Sequence, residues 1–149
     1  MKKKPHQNLP ASYLLLIKDN RVLLLRRANT GFEDGNYSLI AGRVDPNETF
    51  TQTIIREAEE EAWIILKPED LDVVHLLHRN SGQAEYNERV DVFFTAQKWQ
   101  GEIINKEPHK CDDLSWFDLD NLPDNIIPYI KKVIEKTKQA VYYSEHWWK

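Results

Sequence analysis

One segment limits the folding options of this chain more than any other: residues 49–63, TFTQTIIREAEEEAW. Thr49 with Gln52 three residues on is a capping-box signal, and the glutamates and alanines that follow favour a helix, so a helix should run from Thr49 to about Ala62. At about 100° per residue, Ile54, Ile55, Ala58 and Ala62 fan over one sector, the core face. Glu57, Glu60 and Glu61 fan over a neighbouring sector of about 100°. Arg56 and Glu59 take the remaining side. An acidic run is usually a solvated face. These three carboxylates, however, border the buried face with no Lys at i+4, and like charges so spaced destabilise a helix by a few tenths of a kcal/mol per pair. A hard divalent cation would relieve them, because Mg²⁺ takes oxygen ligands.

Strand-length apolar runs surround this helix. Residues 11–17 (ASYLLLI) and 21–27 (RVLLLRR), with Asp19-Asn20 between them, read as a hairpin. A loop with Gly31 and Gly35 precedes a short strand around Tyr37 to Ile40. Residues 72–79, 88–98 and Leu114 to Phe117 read as further strands. In the second of these, Val90, Val92, Phe94 and Ala96 alternate. From about Asn125 to Gln139, Ile126, Ile127, Ile130, Val133 and Ile134 recur at helical spacing. The order of strands, helix, strands, helix predicts an α+β domain with helices packed on a mixed sheet.

The chain has 149 residues, enough for one domain (1–149) with a sizeable core, and no repeat or Gly/Ser linker divides it. Its net charge of −4 argues against a nucleic-acid polymer as partner. No apolar run approaches membrane-spanning length and no signal-peptide pattern follows MKKK, so no membrane partner is expected. Cys111 is the one cysteine, which fits a reducing cytoplasm. The five histidines show no zinc spacing.

The wider segment 42–64, from Gly42 through Glu48 and Arg56-Glu57 to Glu60-Glu61 and Ile64, resembles the Nudix box. That pattern is Gly, five residues, Glu, seven residues, Arg-Glu, an apolar residue, any residue, Glu-Glu, any residue, Gly, an apolar residue. Every fixed position matches except the last Gly, which is Trp63 here. The upstream apolar runs and "LSWFDLDNLP" downstream are similar to the family's usual flanks. The resemblance implies an α/β/α sandwich with a mixed sheet between helices. It also implies a hydrolase that cleaves a diphosphate linkage with Mg²⁺ or Mn²⁺.

By the same resemblance, Glu57, Glu60 and Glu61 hold the metal, with Glu48 as partner of Arg56 or as an extra ligand, and the Ala41 carbonyl as a further ligand. Arg56 holds a carboxylate through its guanidinium. Glu107 in "NKEPHKC" sits where relatives place a further carboxylate, as metal ligand or general base; Glu85 and Glu88 are weaker candidates. Two departures stand out. Ile40-Ala41 occupies a place where the family often has Pro-Gly. Trp63 replaces a left-handed glycine cap, so the helix end is expected to be rearranged, with Trp63 outside the core: at least partly exposed, or covered by the aromatic tail or a neighbouring subunit.

Arg26, Arg27 and Arg89 are candidates for contacting substrate phosphates, and Phe32 for covering a base or another apolar group. Core packing is the better reading for most of Phe32, Tyr37, Phe94, Trp116 and Phe117. The aromatic tail 140–149 leaves three uses open: folding back on the domain, joining a homodimer, or lining a partner's pocket. "NKEPHKCDDLSWFDLDNLP" most resembles the MutT-like branch of the family, and that resemblance implies a small-molecule nucleotide substrate and an activity on nucleoside triphosphates or related diphosphates. The alternatives are a silent nucleotide-binding sensor and a hydrolase of a non-nucleotide diphosphate.

Overall fold

The computed structural model describes residues 3–82 and 88–148. Its elements in chain order are β1 (Leu9–Leu14), β2 (Ile17–Lys18), β3 (Arg21–Arg27), β4 (Tyr37–Ser38), β5 (Ile40–Arg43), α1 (Phe50–Ala62), β6 (Leu71–Asn80), β7 (Glu88–Ala96), β8 (Cys111–Asp118), α2 (Pro128–Lys138) and β9 (Tyr143–His146). A mixed five-stranded sheet runs β5-β1-β7-β6-β9. A smaller antiparallel sheet is centred on β3, which pairs with β2 and β4, and with β8.

The five-stranded sheet lies between the helices. Leu14, Val92, Phe94 and Ala96 point to one face and pack with Ile54, Ala58 and Ala62 of α1. Ala11, Tyr13, Leu77 and Phe93 point to the other and pack with Ile130, Val133 and Ile134 of α2. Period-two alternation therefore feeds two cores, one per helix. This is the expected α+β sandwich with a mixed sheet between helices.

The expected hairpin is corrected. Residues 11–17 are not one strand. Tyr13 pairs with Ala41 and Phe93 in the larger sheet, and only Ile17-Lys18 pairs with Arg21-Val22 across the Asp19-Asn20 turn. The chain changes sheets between them: the Leu15 amide donates to the Phe94 carbonyl (2.7 Å), and the Leu16 carbonyl accepts from the Leu23 amide (3.1 Å). Leu15 and Leu16 are both fully buried at the crossing, so apolarity continued where the strand did not. The strand expected over 37–40 divides in the same way at Leu39, into β4 and β5. Both Asp19 (φ 53°) and Asn20 (φ 60°) are left-handed, which suits a two-residue hairpin turn.

The C-terminal helix begins at Pro128, three residues later than about Asn125. Proline has no amide hydrogen to lose at the first helical position. Of the three uses open to the tail, the structure shows it folded back. β9 pairs in parallel with β6 from Leu76 to Arg79. The ring of His75, fully buried, is held by the Val141 carbonyl (2.8 Å) and the Ser144 hydroxyl (2.7 Å). No helix among the described residues is long and apolar enough to cross a membrane.

Candidate functional site

Helix α1 begins as its sequence demands. The Thr49 hydroxyl accepts from the Gln52 amide and the Gln52 side chain accepts from the Thr49 amide. Gly42 on β5 faces the helix. A Cβ at Gly42 would overlap the Glu57 carboxylate, so only glycine lets the strand lie against that side chain.

Arg56 organises the acidic face. Its Nε donates to Glu48 Oε2 (2.8 Å) and its Nη2 to Glu48 Oε1 (3.0 Å). Its Nη1 donates to Glu57 (2.7 Å) and, more weakly, to Glu60 (3.4 Å). The glutamates therefore have a cationic partner on their own helix, reached from the side where the angular projection put only Arg56 and Glu59. Glu48 also accepts from the Thr53 hydroxyl (2.6 Å) and the Asp45 amide (3.1 Å). Its bonds to Arg56 and then Thr53 hold its pKa down at about 2. Both Glu48 oxygens are engaged in positioning Arg56.

Glu57 and Glu61 face inward and Glu60 outward. Glu61 accepts from the Ala41 amide (3.3 Å) and lies beside Glu57, so the two carboxyls weigh on each other's ionisation. Burial, then the charge of Glu57, the bond to it and the charge of Glu107, push Glu61 well above the usual carboxylate range. Burial raises Glu57 as well, against the opposing pull of Arg56. The Glu60 side chain is 54% exposed at the rim. Among the described residues no three acidic, His or Cys side chains stand in ligating geometry. The expected convergence of Glu57, Glu60 and Glu61 is thus met by Glu57 and Glu61 only.

Glu107 reaches the site through the end of α1. The Lys106 amide donates to the Glu61 carbonyl (3.1 Å) and the Ile104 amide to that of Ala62 (3.0 Å), so residues 104–106 cap the helix terminus. Glu107 is thereby set beside Glu61, with Lys110 Nζ 3.7 Å from its carboxylate. Sequence spacing could not reveal this link, which depends on backbone capping between residues far apart in the chain.

Trp63 corrects an expectation. The helix end is not rearranged: Trp63 itself takes the left-handed cap (φ 57°, ψ 29°) and is 41% exposed. Lys106 Nζ lies over its ring, 4.3 Å from the centroid. Gly101 passes its carbonyl so closely that a Cβ there would collide.

Glu61 and Glu107 line a cleft of about 470 Å³, together with Ala41, Arg43, Lys110, Arg27, Phe32, Arg89 and Arg79. Of the candidate substrate residues, Arg27, Phe32 and Arg89 are in it. Arg27 stacks over Phe32 (5.5 Å) and donates to its carbonyl. Arg26 is not: it points away, into an ion pair with Asp112 (2.6 Å). Tyr37, Phe94 and Phe117 are packing residues, and Trp116 stacks on Trp99. Glu88 pairs with His6, and Glu85 lies outside the described residues.

Sequence reasoning missed Lys110, Arg43 and the buried pair of Arg79 with Asp91. Arg89, Asp91 and Phe93 alternate on β7, but in the sequence Arg89 and Asp91 fall on the polar side of the Val90, Val92, Phe94 alternation, and Phe93 alone hints that this face is covered.

The structure thus presents an acidic helix beside a cleft, on a mixed sheet that lies between two helices. The NUDIX domain model matches residues 8–137, and the chain belongs to that family. It is 30% identical over 118 residues to the NAD-capped RNA hydrolase NudC of Stutzerimonas stutzeri, covering 79% of this chain and 40% of that protein. It is 29% identical over 109 residues to the ADP-ribose pyrophosphatase of Methanocaldococcus jannaschii, covering 73% of this chain and 61% of that protein. The chain thus spans less than two thirds of the length of either of these curated relatives. Among solved structures, a MutT NUDIX hydrolase from Burkholderia pseudomallei superposes with a TM-score of 0.78 at 27% identity, over 87% of this chain and 98% of that one.

Proposed function

We propose that this protein hydrolyses the diphosphate linkage of a nucleotide derivative, using Mg²⁺ or Mn²⁺. The observation that carries this reading is the half-buried Glu61, set against Glu57 and Glu107 at one end of a roomy cleft. Half-buried carboxylates gathered in this way repel one another unless a proton or a cation is shared among them, and their hard oxygens suit Mg²⁺. Glu57 and Glu61 would hold the ion, with Glu60 swinging in from the rim and the Ala41 carbonyl adjoining. When bound, such an ion draws charge from the diphosphate oxygens and makes a bound water more acidic.

The protein's own residues do the rest. Arg56, fixed by Glu48, orients Glu57. Glu107 takes the proton of the attacking water, whose oxygen joins one phosphorus while the bridging oxygen leaves with the other phosphate. Lys110 pairs with Glu107 and holds its carboxylate at the cleft. Phe32 and Arg27 border the space for the group carried by the diphosphate. The relatives that bear the names NAD-capped RNA hydrolase and ADP-ribose pyrophosphatase favour substrates in which the diphosphate joins two groups.

A panel of nucleoside triphosphates, dinucleotides and nucleotide sugars, incubated with Mg²⁺ and read by product identity, tests this. Turnover to monophosphate products supports it. Binding of nucleotides without turnover of any would make the protein a sensor. Turnover confined to non-nucleotide diphosphates would move the substrate class.

A further inference from the structure

The cleft that begins at Glu61 and Glu107 ends on arginines that the hydrolytic reading does not use. Arg79 on β6 and Arg89 on β7 are direct register partners, so their side chains share the face turned toward α2. Ala11 brings Arg43 of β5 and Asp91 of β7 alongside on that face. Arg79 is 1% exposed. Its Nε donates to Asp91 Oδ2 (2.5 Å), and its guanidinium lies 4.2 Å from the Tyr129 ring centroid. Arg79 Nη1, Arg89 Nε and Asp91 Oδ1 are buried without a hydrogen-bond partner. Among the described residues, neither Arg43 nor Arg89 forms an ion pair.

Like charges set opposite each other across two strands are unfavourable, and buried donors without acceptors are costly. A ligand that accepts from both guanidinium groups would remove both penalties. Three guanidinium charges against the single Asp91 carboxylate leave an excess of two, which is close to the charge of a phosphate monoester near neutral pH. Guanidinium forks also match phosphate geometry. A neutral nucleobase would leave that excess uncompensated.

We propose that the Arg43–Arg79–Arg89 end of the cleft is an anion subsite that selects diphosphate substrates carrying a phosphate monoester on the group remote from the scissile linkage. The inference rests on the reading that the glutamate end takes the diphosphate, but its test does not depend on turnover.

Calorimetric titration of the full chain in EDTA compares AMP with adenosine 2′,5′- and 3′,5′-bisphosphate, with inorganic phosphate as competitor. One bisphosphate should bind about tenfold or more tightly than AMP, the scale of an added charge-assisted contact. Inorganic phosphate should compete and erode that advantage. Arg89→Gln should shrink the ratio to within about threefold while leaving the melting temperature of the free protein unchanged or higher, since it removes a charge facing Arg79. Arg89→Lys should keep part of the preference. If Arg89→Gln does not fold, Arg43→Gln at the exposed rim reads the same ratio. Equal affinity for AMP and both bisphosphates, or a ratio that survives in the glutamine variant, overturns the subsite. A ratio that holds in a protein that hydrolyses nothing would leave the subsite standing and defeat the proposed hydrolysis instead.

Discussion

Arg56 grips Glu48 through two nearly parallel hydrogen bonds, Nε to Oε2 at 2.8 Å and Nη2 to Oε1 at 3.0 Å, and this leaves Nη1 to hold Glu57. The pair spans the turn before α1 and the second turn of the helix, so it ties the segment between β5 and α1 to the acidic face. A lysine cannot reproduce a planar fork. Arg56→Lys should therefore cut turnover about tenfold or more by letting Glu57 drift, because small misplacements at a reacting centre are costly. It should also lower the urea midpoint. Steady-state kinetics and urea melts check both, and a fully active lysine variant would show that the fork is dispensable.

Glu61 supplies a prediction with a sign. Its folded pKa lies well above the ordinary 4.5, so between those values the native state binds more protons than the unfolded chain. Stability of the metal-free protein must then fall as pH rises through that window. Glu48 has the opposite sense: at about 2 against 4.5, its contribution is present above 4.5 and is lost as pH drops toward 2. Glu61→Gln should flatten the loss between about pH 5 and about pH 8 in EDTA, and hold or raise stability at the upper end. Turnover with Mg²⁺ should fall by orders of magnitude. Urea midpoints at the two pH values decide it: an unchanged slope would mean that Glu61 titrates normally.

Because both Glu57 and Glu61 are raised above the usual carboxylate range, metal binding between them should release protons. Isothermal titration of Mg²⁺ at neutral pH, repeated in buffers of different ionisation enthalpy, should reveal proton release from the wild type and less from Glu61→Gln. No buffer dependence would argue that the two carboxyls hold no proton.

Glu107→Gln should lower turnover by about 10²-fold, the lower end for a general base, with the melting temperature held. Glu107 lies beside Glu61 because backbone amides of its own loop cap α1. The substitution leaves those amides in place, so structure and chemistry separate cleanly. Full activity in this variant would make Glu107 a solvated loop residue.

How much of this was legible follows from which interactions are local. The capping box, the apolar fan of α1 and the Arg56–Glu48 relationship all lie within a short stretch, and the structure bears them out. The changes of sheet at Leu15-Leu16 and Leu39 were not legible, because burial continues through them while hydrogen-bond partners switch. Arg79 and Asp91 were missed for a related reason. They read as the solvent side of alternating strands, yet α2 covers that face, and only tertiary packing says so. The inward turn of Glu61 but not Glu60 depends on contact with Ala41 and Glu57, beyond angular projection.

Trp63 closes α1 at a cost that glycine would not incur. Its φ of 57° is left-handed, a conformation that costs a residue with a Cβ roughly 1 kcal/mol. Its amide still bonds back to the Glu59 carbonyl (3.1 Å), and the next amide, of Ile64, reaches Ala58 (3.1 Å), so the terminus is satisfied despite the strain. The ring offsets part of the cost by lying under Lys106, but at 41% exposure the contact is shallow. Trp63→Gly should remove the strain and lose modest contact area, leaving stability within about 1 kcal/mol of the wild type, neutral or slightly higher. Trp63→Ala separates the two contributions: it keeps the strain and loses the ring, so it should fall below the glycine variant. Activity should survive in both, since neither touches a carboxylate. Chemical denaturation of the three proteins settles the matter. A loss above roughly 2 kcal/mol in Trp63→Gly, the scale of a buried aromatic, would mean that the ring braces the loop carrying Glu107 and not merely the helix end.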